Sequence, residues 1–161
     1  MTSPFKRFAA LYVLMACGFV QAADLPDPTV TPGATNPAVT QDTIKDTICK
    51  IGWTKTIRPP NGYTSKLKVQ QMRDLGLTGS PREYEEDHLI SLELGGHPTD
   101  PKNLWPEPWT SDNSARKKDA LETYLKRQVC AGRVTLAEAQ QAIATNWIAA
   151  YDKYMPARKK R

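Results

Sequence analysis

Histidine is scarce: His88 and His97 are the only two among 161 residues, so any imidazole chemistry is confined to those positions. Cysteine is almost as rare. Cys17, Cys49 and Cys130 lie too far apart for a Cys-x-x-Cys pair, which argues against thiolate ligation of zinc. No segment repeats, so a solenoid is excluded. No helix-turn-helix or zinc-finger pattern is present either, which leaves readout of base sequence without a carrier. Long hydrophobic runs are also lacking. The apolar stretch from Phe8 to Val20 carries no charge but is too short to span a bilayer comfortably.

What is present begins with an export signature. Lys6 and Arg7 precede that apolar stretch, and Val20-Gln21-Ala22 follows it as a small-residue cleavage site. Residues 1–22 are therefore read as a signal peptide, and the mature chain as periplasmic or secreted, without a stable membrane span. Leu14-Met15-Ala16-Cys17 offers a second reading as a lipobox, with a lipid anchor at Cys17. Residues 23–43 hold Pro26, Pro28, Pro32 and Pro37 among Thr, Ala, Asp and Asn, and read as a disordered linker. Residues 44–155 are enough for one small domain, taken as monomeric, and 156–161 form a basic tail. With the signal gone, Cys49 and Cys130 remain. In an oxidising compartment they read as a structural disulfide, with two unpaired buried thiols as the other reading. The formal charge of +5 falls to +3 once Lys6 and Arg7 are set aside. The excess clusters at Arg116-Lys117-Lys118, Lys126-Arg127 and the tail, which suits a polyphosphate partner and equally an ordinary solvated helix face.

The periodicity predicts an α+β chain. Thr64-Ser65 cap a helix to about Leu75, stopped by Gly76; a second helix runs from near Asp112–Ser114 to Ala131, stopped by Gly132. Thr135-Leu136-Ala137-Glu138 is a capping box, after which Leu136, Ala139, Ile143, Trp147, Ala150 and Tyr154 share one helical face. Between the first two helices, Glu83–Leu94 and Asn103–Trp105 are β-prone and separated by Gly95-Gly96. A hairpin followed by a helix is the simplest arrangement.

Chemistry concentrates around His88. It follows Glu85-Glu86-Asp87 and opens Leu89-Ile90-Ser91-Leu92-Glu93-Leu94-Gly95-Gly96; Asn103-Leu104-Trp105-Pro106 and a charged helix come next. This order resembles the HNH branch of the ββα-metal nucleases, and in particular small exported HNH-like proteins. The likeness extends through Lys118-Asp119-x-Leu121-Glu122 and Val129-Cys130-x-Gly132 to the Trp147 helix, and back to Trp53 and Arg58-Pro59-Pro60. It implies a ββα-metal hairpin–helix core with additional packing helices. It further implies an acidic residue and a histidine at the end of the first strand, an asparagine at the start of the second, and a helix completing a metal site.

Each residue type has a chemical reason. A neutral imidazole accepts a proton from water near neutrality, so His88 is the expected general base. Asp87 is the expected ligand of one divalent ion, Mg²⁺ or Mn²⁺, because oxygen ligands without a cysteine pair favour a hard metal. Asn103 is assigned to orienting the His88 loop, and is grouped with His88 as catalytic. The helix position that is usually His or Asn in this family has no histidine here. Asp119 takes its place, with Glu122 one turn on, and Asn113 as the fallback; a solvated, ion-paired helix face is the competing reading. Lys117, Lys118 and Arg58 are the expected phosphate contacts. Glu85, Glu86 and Glu93 read as strand-face polar residues, with Glu86 as a further metal-ligand candidate, and Trp105 and Trp109 as packing. Three functions follow: an exported metal-dependent endonuclease of little sequence specificity acting on DNA or RNA, a non-catalytic envelope module that keeps the hairpin as a scaffold, or a nuclease-fold protein acting on another phosphoester or an envelope polymer.

Overall fold

The computed structural model describes residues 24–155. The signal segment, the lipobox and the basic tail lie outside the described residues. Four helices and one two-stranded antiparallel sheet follow in the order α1 (Trp53–Ile57), α2 (Asn61–Asp74), β1 (Tyr84–His88), β2 (Leu104–Pro108), α3 (Ala115–Cys130) and α4 (Leu136–Tyr154). No helix among the described residues is long and apolar enough to cross a membrane.

The two strands pair from Tyr84 opposite Pro108 to His88 opposite Leu104. Pro106 and Pro108 each lack a backbone N–H, which a two-stranded sheet tolerates because each strand has a free edge. Helix α2 lies against the hairpin through its polar side chains. Lys68 Nζ donates to the Pro81 and Tyr84 carbonyls, both at 2.7 Å, and Gln71 Nε2 donates to the Leu104 carbonyl at 2.9 Å.

The helix boundaries follow local chemistry. Ser114 precedes α3, and Gly132 after it takes φ +70°, the left-handed stop a side chain resists. Thr135 and Glu138 form the reciprocal capping box of α4. Its expected face does bury Leu136, Ala139, Ile143, Trp147 and Ala150. Two boundaries differ from expectation. Helix α2 starts at Asn61, three residues ahead of Thr64: Pro60 is its extended N-cap (φ −60°, ψ 143°), and the Pro60 carbonyl accepts from the Tyr63 amide at 2.9 Å to open the first turn. Helix α4 is broken at Asn146 (φ −167°, ψ 95°), whose Oδ1 accepts from the Ala149 amide and restarts the helix.

The core joins Leu89, Ile90 and Leu94 from the hairpin loop, Trp105 from β2, Leu121, Leu125 and Val129 from α3, and Ile143 and Trp147 from α4. Cys49 and Cys130 are bonded, with Cα atoms 5.6 Å apart across 81 residues, tying the segment before α1 to the end of α3.

The linker expectation for residues 23–43 is corrected from Asp24 onward. The Gly33 amide donates to the Lys102 carbonyl at 2.9 Å, Asn36 to Gly95 at 2.8 Å, and His97 to Ala34 at 2.8 Å. Asp24 accepts from Asn113 Nδ2 at 2.8 Å and, through its carbonyl, from Trp147 Nε1 at 3.1 Å. Val39 is buried in the core, and Leu25 packs against it. Pro28 and Pro37 sit in turns of this strap, and backbone hydrogen bonds fasten it. Neither feature needs the apolar composition whose lack suggested disorder.

Candidate active site

Residues β1 presents alternate between its two faces, so Asp87 and His88 point apart. Asp87 faces α3. His88 shares its face with Tyr84 and Glu86 and lines a groove of about 430 Å³, together with Arg58, Lys68, Arg82, Glu85 and Trp109.

His88 is buried, and its Nε2 lies 2.9 Å from the Pro98 carbonyl. A carbonyl only accepts, so Nε2 carries the proton and Nδ1 holds the lone pair. Burial pushes the imidazole below the usual histidine value, against the Pro98 contact and the Asp87 charge, which favour the protonated ring. His88 is therefore neutral at pH 7.

Asn103 fixes the loop that follows. Its Oδ1 accepts from the amides of Ile90 (2.9 Å) and Ala34 (3.3 Å), and its Nδ2 donates to the carbonyls of Ile90 and His97, both at 3.0 Å. The Leu89 amide returns a bond to the Asn103 carbonyl at 2.8 Å. Fully buried and fully bonded, Asn103 cannot touch a substrate. It is a positioning residue, in place of the catalytic role it was grouped under. Gly96 belongs to the same knot: a Cβ there would fall 1.7 Å from the Ile90 carbonyl oxygen. His97 accepts from the Thr99 and Asp100 amides through Nδ1, a local cap.

The α3 face carries the largest departure from expectation. Lys118, assigned above to phosphate, is fully buried. Its ammonium donates to Asp87 Oδ2 at 2.5 Å, to the His88 carbonyl at 2.8 Å, and to Glu122 Oε1. All three N–H groups are used, and none is left for a substrate. The same contacts occupy Asp87 and Glu122, the two carboxylates expected to hold a metal. Asp119 is exposed and does not join them. Asn113 is spent on Asp24 and on Lys117. No three His, Cys, Asp or Glu side chains among the described residues are grouped to hold an ion. The residues present therefore do not fit a divalent metal at Asp87, because an ammonium already fills the space between the oxygens.

Glu107 completes this pocket. It is fully buried, and neither carboxylate oxygen meets a donor. Burial, then the Asp87 charge, pushes it up to about 10. Neutral at pH 7, it can give its own proton to Asp87. Lys118 and Glu107 together hold Asp87 well below the ordinary carboxylate range despite its burial. Burial raises Glu122 to about 7.

Of the other expected phosphate contacts, Arg58 lines the His88 groove. Its charge also reaches Asp119. Lys117 bonds Asn113 Oδ1 at 2.8 Å, lies 4.7 Å from the Tyr151 ring centre, and does not line the groove. Glu93 leaves the strand entirely and pairs with Lys126 at 3.2 Å. Trp105 is core, whereas Trp109 lines the groove.

Sequence reasoning missed Lys68, Arg82 and Glu107, and reached Glu86 only as a strand-face residue and metal-ligand candidate. For Glu86 the signal was available: two residues before His88 on a strand means the same face. Both its carboxylate oxygens are buried without a partner, and burial pushes it up to about 8, against the Lys68 charge.

Set against protein-family models, curated proteins and solved structures, the chain matches none.

Proposed function

We propose that this chain is an exported enzyme that cleaves phosphodiester bonds in nucleic acid with little sequence specificity. One observation carries the reading: a buried neutral imidazole, its tautomer set by Pro98, lines a groove whose other walls include Arg58, Lys68 and Arg82. Three cations around one base suit an anionic backbone. Export accords with the Cys49–Cys130 bond.

In this reading His88 Nδ1 takes a proton from water, whose oxygen attacks phosphorus. The bond to the leaving oxygen breaks as that oxygen takes the Glu86 carboxyl proton. Residues two apart on a strand stand about 6.6 Å from each other, which leaves room for a phosphate between acid and base. Arg58 and Arg82 offset the charge on the phosphate. No step is assigned to a divalent ion.

Plasmid DNA and a single-stranded RNA, each incubated with the mature protein in chelator, test this. His88→Gln keeps an amide for the Pro98 carbonyl but supplies no base, and is expected to slow cleavage about a hundred- to ten-thousand-fold. Glu86→Gln should lose activity on the same scale with the fold intact. A parent that cuts neither polymer, with or without Mg²⁺, would leave the non-catalytic envelope module standing. That second reading is the one favoured by an acidic pocket sealed around its own lysine.

A further inference from the structure

We infer that the Lys118 ammonium is the permanent cation of the Asp87 pocket, standing where the family resemblance places a divalent metal, so that the parent chain takes up no ion there. Its surroundings are those of a small hard cation. Two carboxylates, from Asp87 and Glu122, and one backbone carbonyl, from His88, converge on a single point from β1 and α3. Oxygens in this number and of this type suit Mn²⁺, Mg²⁺ or Ca²⁺. The point is occupied by a nitrogen of the chain itself, on a side chain only 1% exposed.

Displacement is unfavourable on two counts. An incoming ion would shed its water and also expel a charged amine that makes three bonds within 2.8 Å. The expelled ammonium would then sit beside a dipositive ion, two like charges in one buried space. Glu107 supplies an independent sign that the pocket is acidic beyond what Lys118 neutralises. It is fully buried, adjoins Asp87, and has both oxygens without a donor. Lys118 also reaches the His88 carbonyl, so the lysine performs the metal's structural task of pinning strand end to helix.

The inference does not rest on the nuclease reading, since ion uptake is measured without substrate. The mature chain is titrated with Mn²⁺, free ion being followed by electron paramagnetic resonance, and its unfolding temperature is compared in chelator, Mg²⁺ and Mn²⁺. The parent is expected to leave Mn²⁺ free and to unfold at one temperature in all three. Stoichiometric Mn²⁺ uptake by the parent, abolished by Asp87→Asn, overturns the inference. Lys118→Ala removes the resident cation and leaves the oxygens. It is expected to unfold at a lower temperature, bind one Mn²⁺ per chain, and regain stability with the ion. Where that variant folds only with Mn²⁺ present, the same conclusion follows. If it neither binds nor is stabilised by Mn²⁺, the oxygens do not form a cation site and the inference falls.

Discussion

A lysine buried with three carboxylates sets the balance of charge in this molecule. One ammonium cannot neutralise Asp87, Glu107 and Glu122 together, so a proton does part of the work, and Glu107 holds it. The consequence for stability has a definite sign. Between the ordinary glutamate value of 4.5 and the folded value near 10, the unfolded chain releases the Glu107 proton while the fold retains it. The folded state then binds more protons, and stability falls as pH rises through that window. Glu107→Gln mimics the protonated acid without the titration. Urea unfolding at pH 5 and pH 9 should show the variant gaining on the parent at the higher pH. An equal difference at both would place the proton elsewhere. His88 has the opposite sign. Its folded value is lowered, so its contribution is present above the ordinary histidine value and lost as pH falls through the depressed one. The proposed activity should decline on the same acid limb, measurable as a cleavage rate against pH that His88→Gln flattens.

At the scale of elements, the hairpin is held by its loop as much as by its ladder. Asn103 closes three bonds across it and takes a fourth from Ala34 of the strap, and Gly96 lies so close to the Ile90 carbonyl that no side chain fits. Gly96→Ala must therefore push the loop apart, and is expected to cost more than about 2 kcal/mol in chemical denaturation, in the range of strained or overpacked positions. Unchanged stability would mean that the loop yields freely. Much of this was legible beforehand. Gly132, the Thr135 capping box and the Leu136-to-Ala150 stripe speak through local chemistry, which sequence displays directly. His88 stood out because histidine is scarce, and Asp87 and Asn103 because their order around it resembles a known pattern. What stayed hidden were partners chosen across space. Lys118 stands three residues before Leu121 and seven before Leu125, so helical spacing does put it on the buried stripe of α3; what the sequence conceals is the pair of carboxylates and the carbonyl that receive its charge there. The Asn146 break was invisible because the apolar stripe continues through it.

At the scale of the whole molecule, two long-range ties complement the core. The Cys49–Cys130 bond closes a loop of 81 residues, worth about 4 to 5 kcal/mol in the chain-entropy account. The double variant Cys49→Ser, Cys130→Ser should lose stability of that order in urea, and the parent should match it under strong reductant. A negligible difference would show that strap and core suffice alone. Starting the chain at residue 34 instead would remove the Asp24 contacts to Asn113 and Trp147. It should raise exchange of amide hydrogens along α4 before it affects α2.

The contact between Asp24 and Trp147, 123 residues apart, also orders events in time. Asp24, at the start of the described strap, finds its partner on α4, so a chain that emerges from its N-terminus has nothing to dock it against until nearly all of it is present. Closure of loops this long is slow, and it comes last. Such a chain stays open until its last helix is available and becomes compact only then.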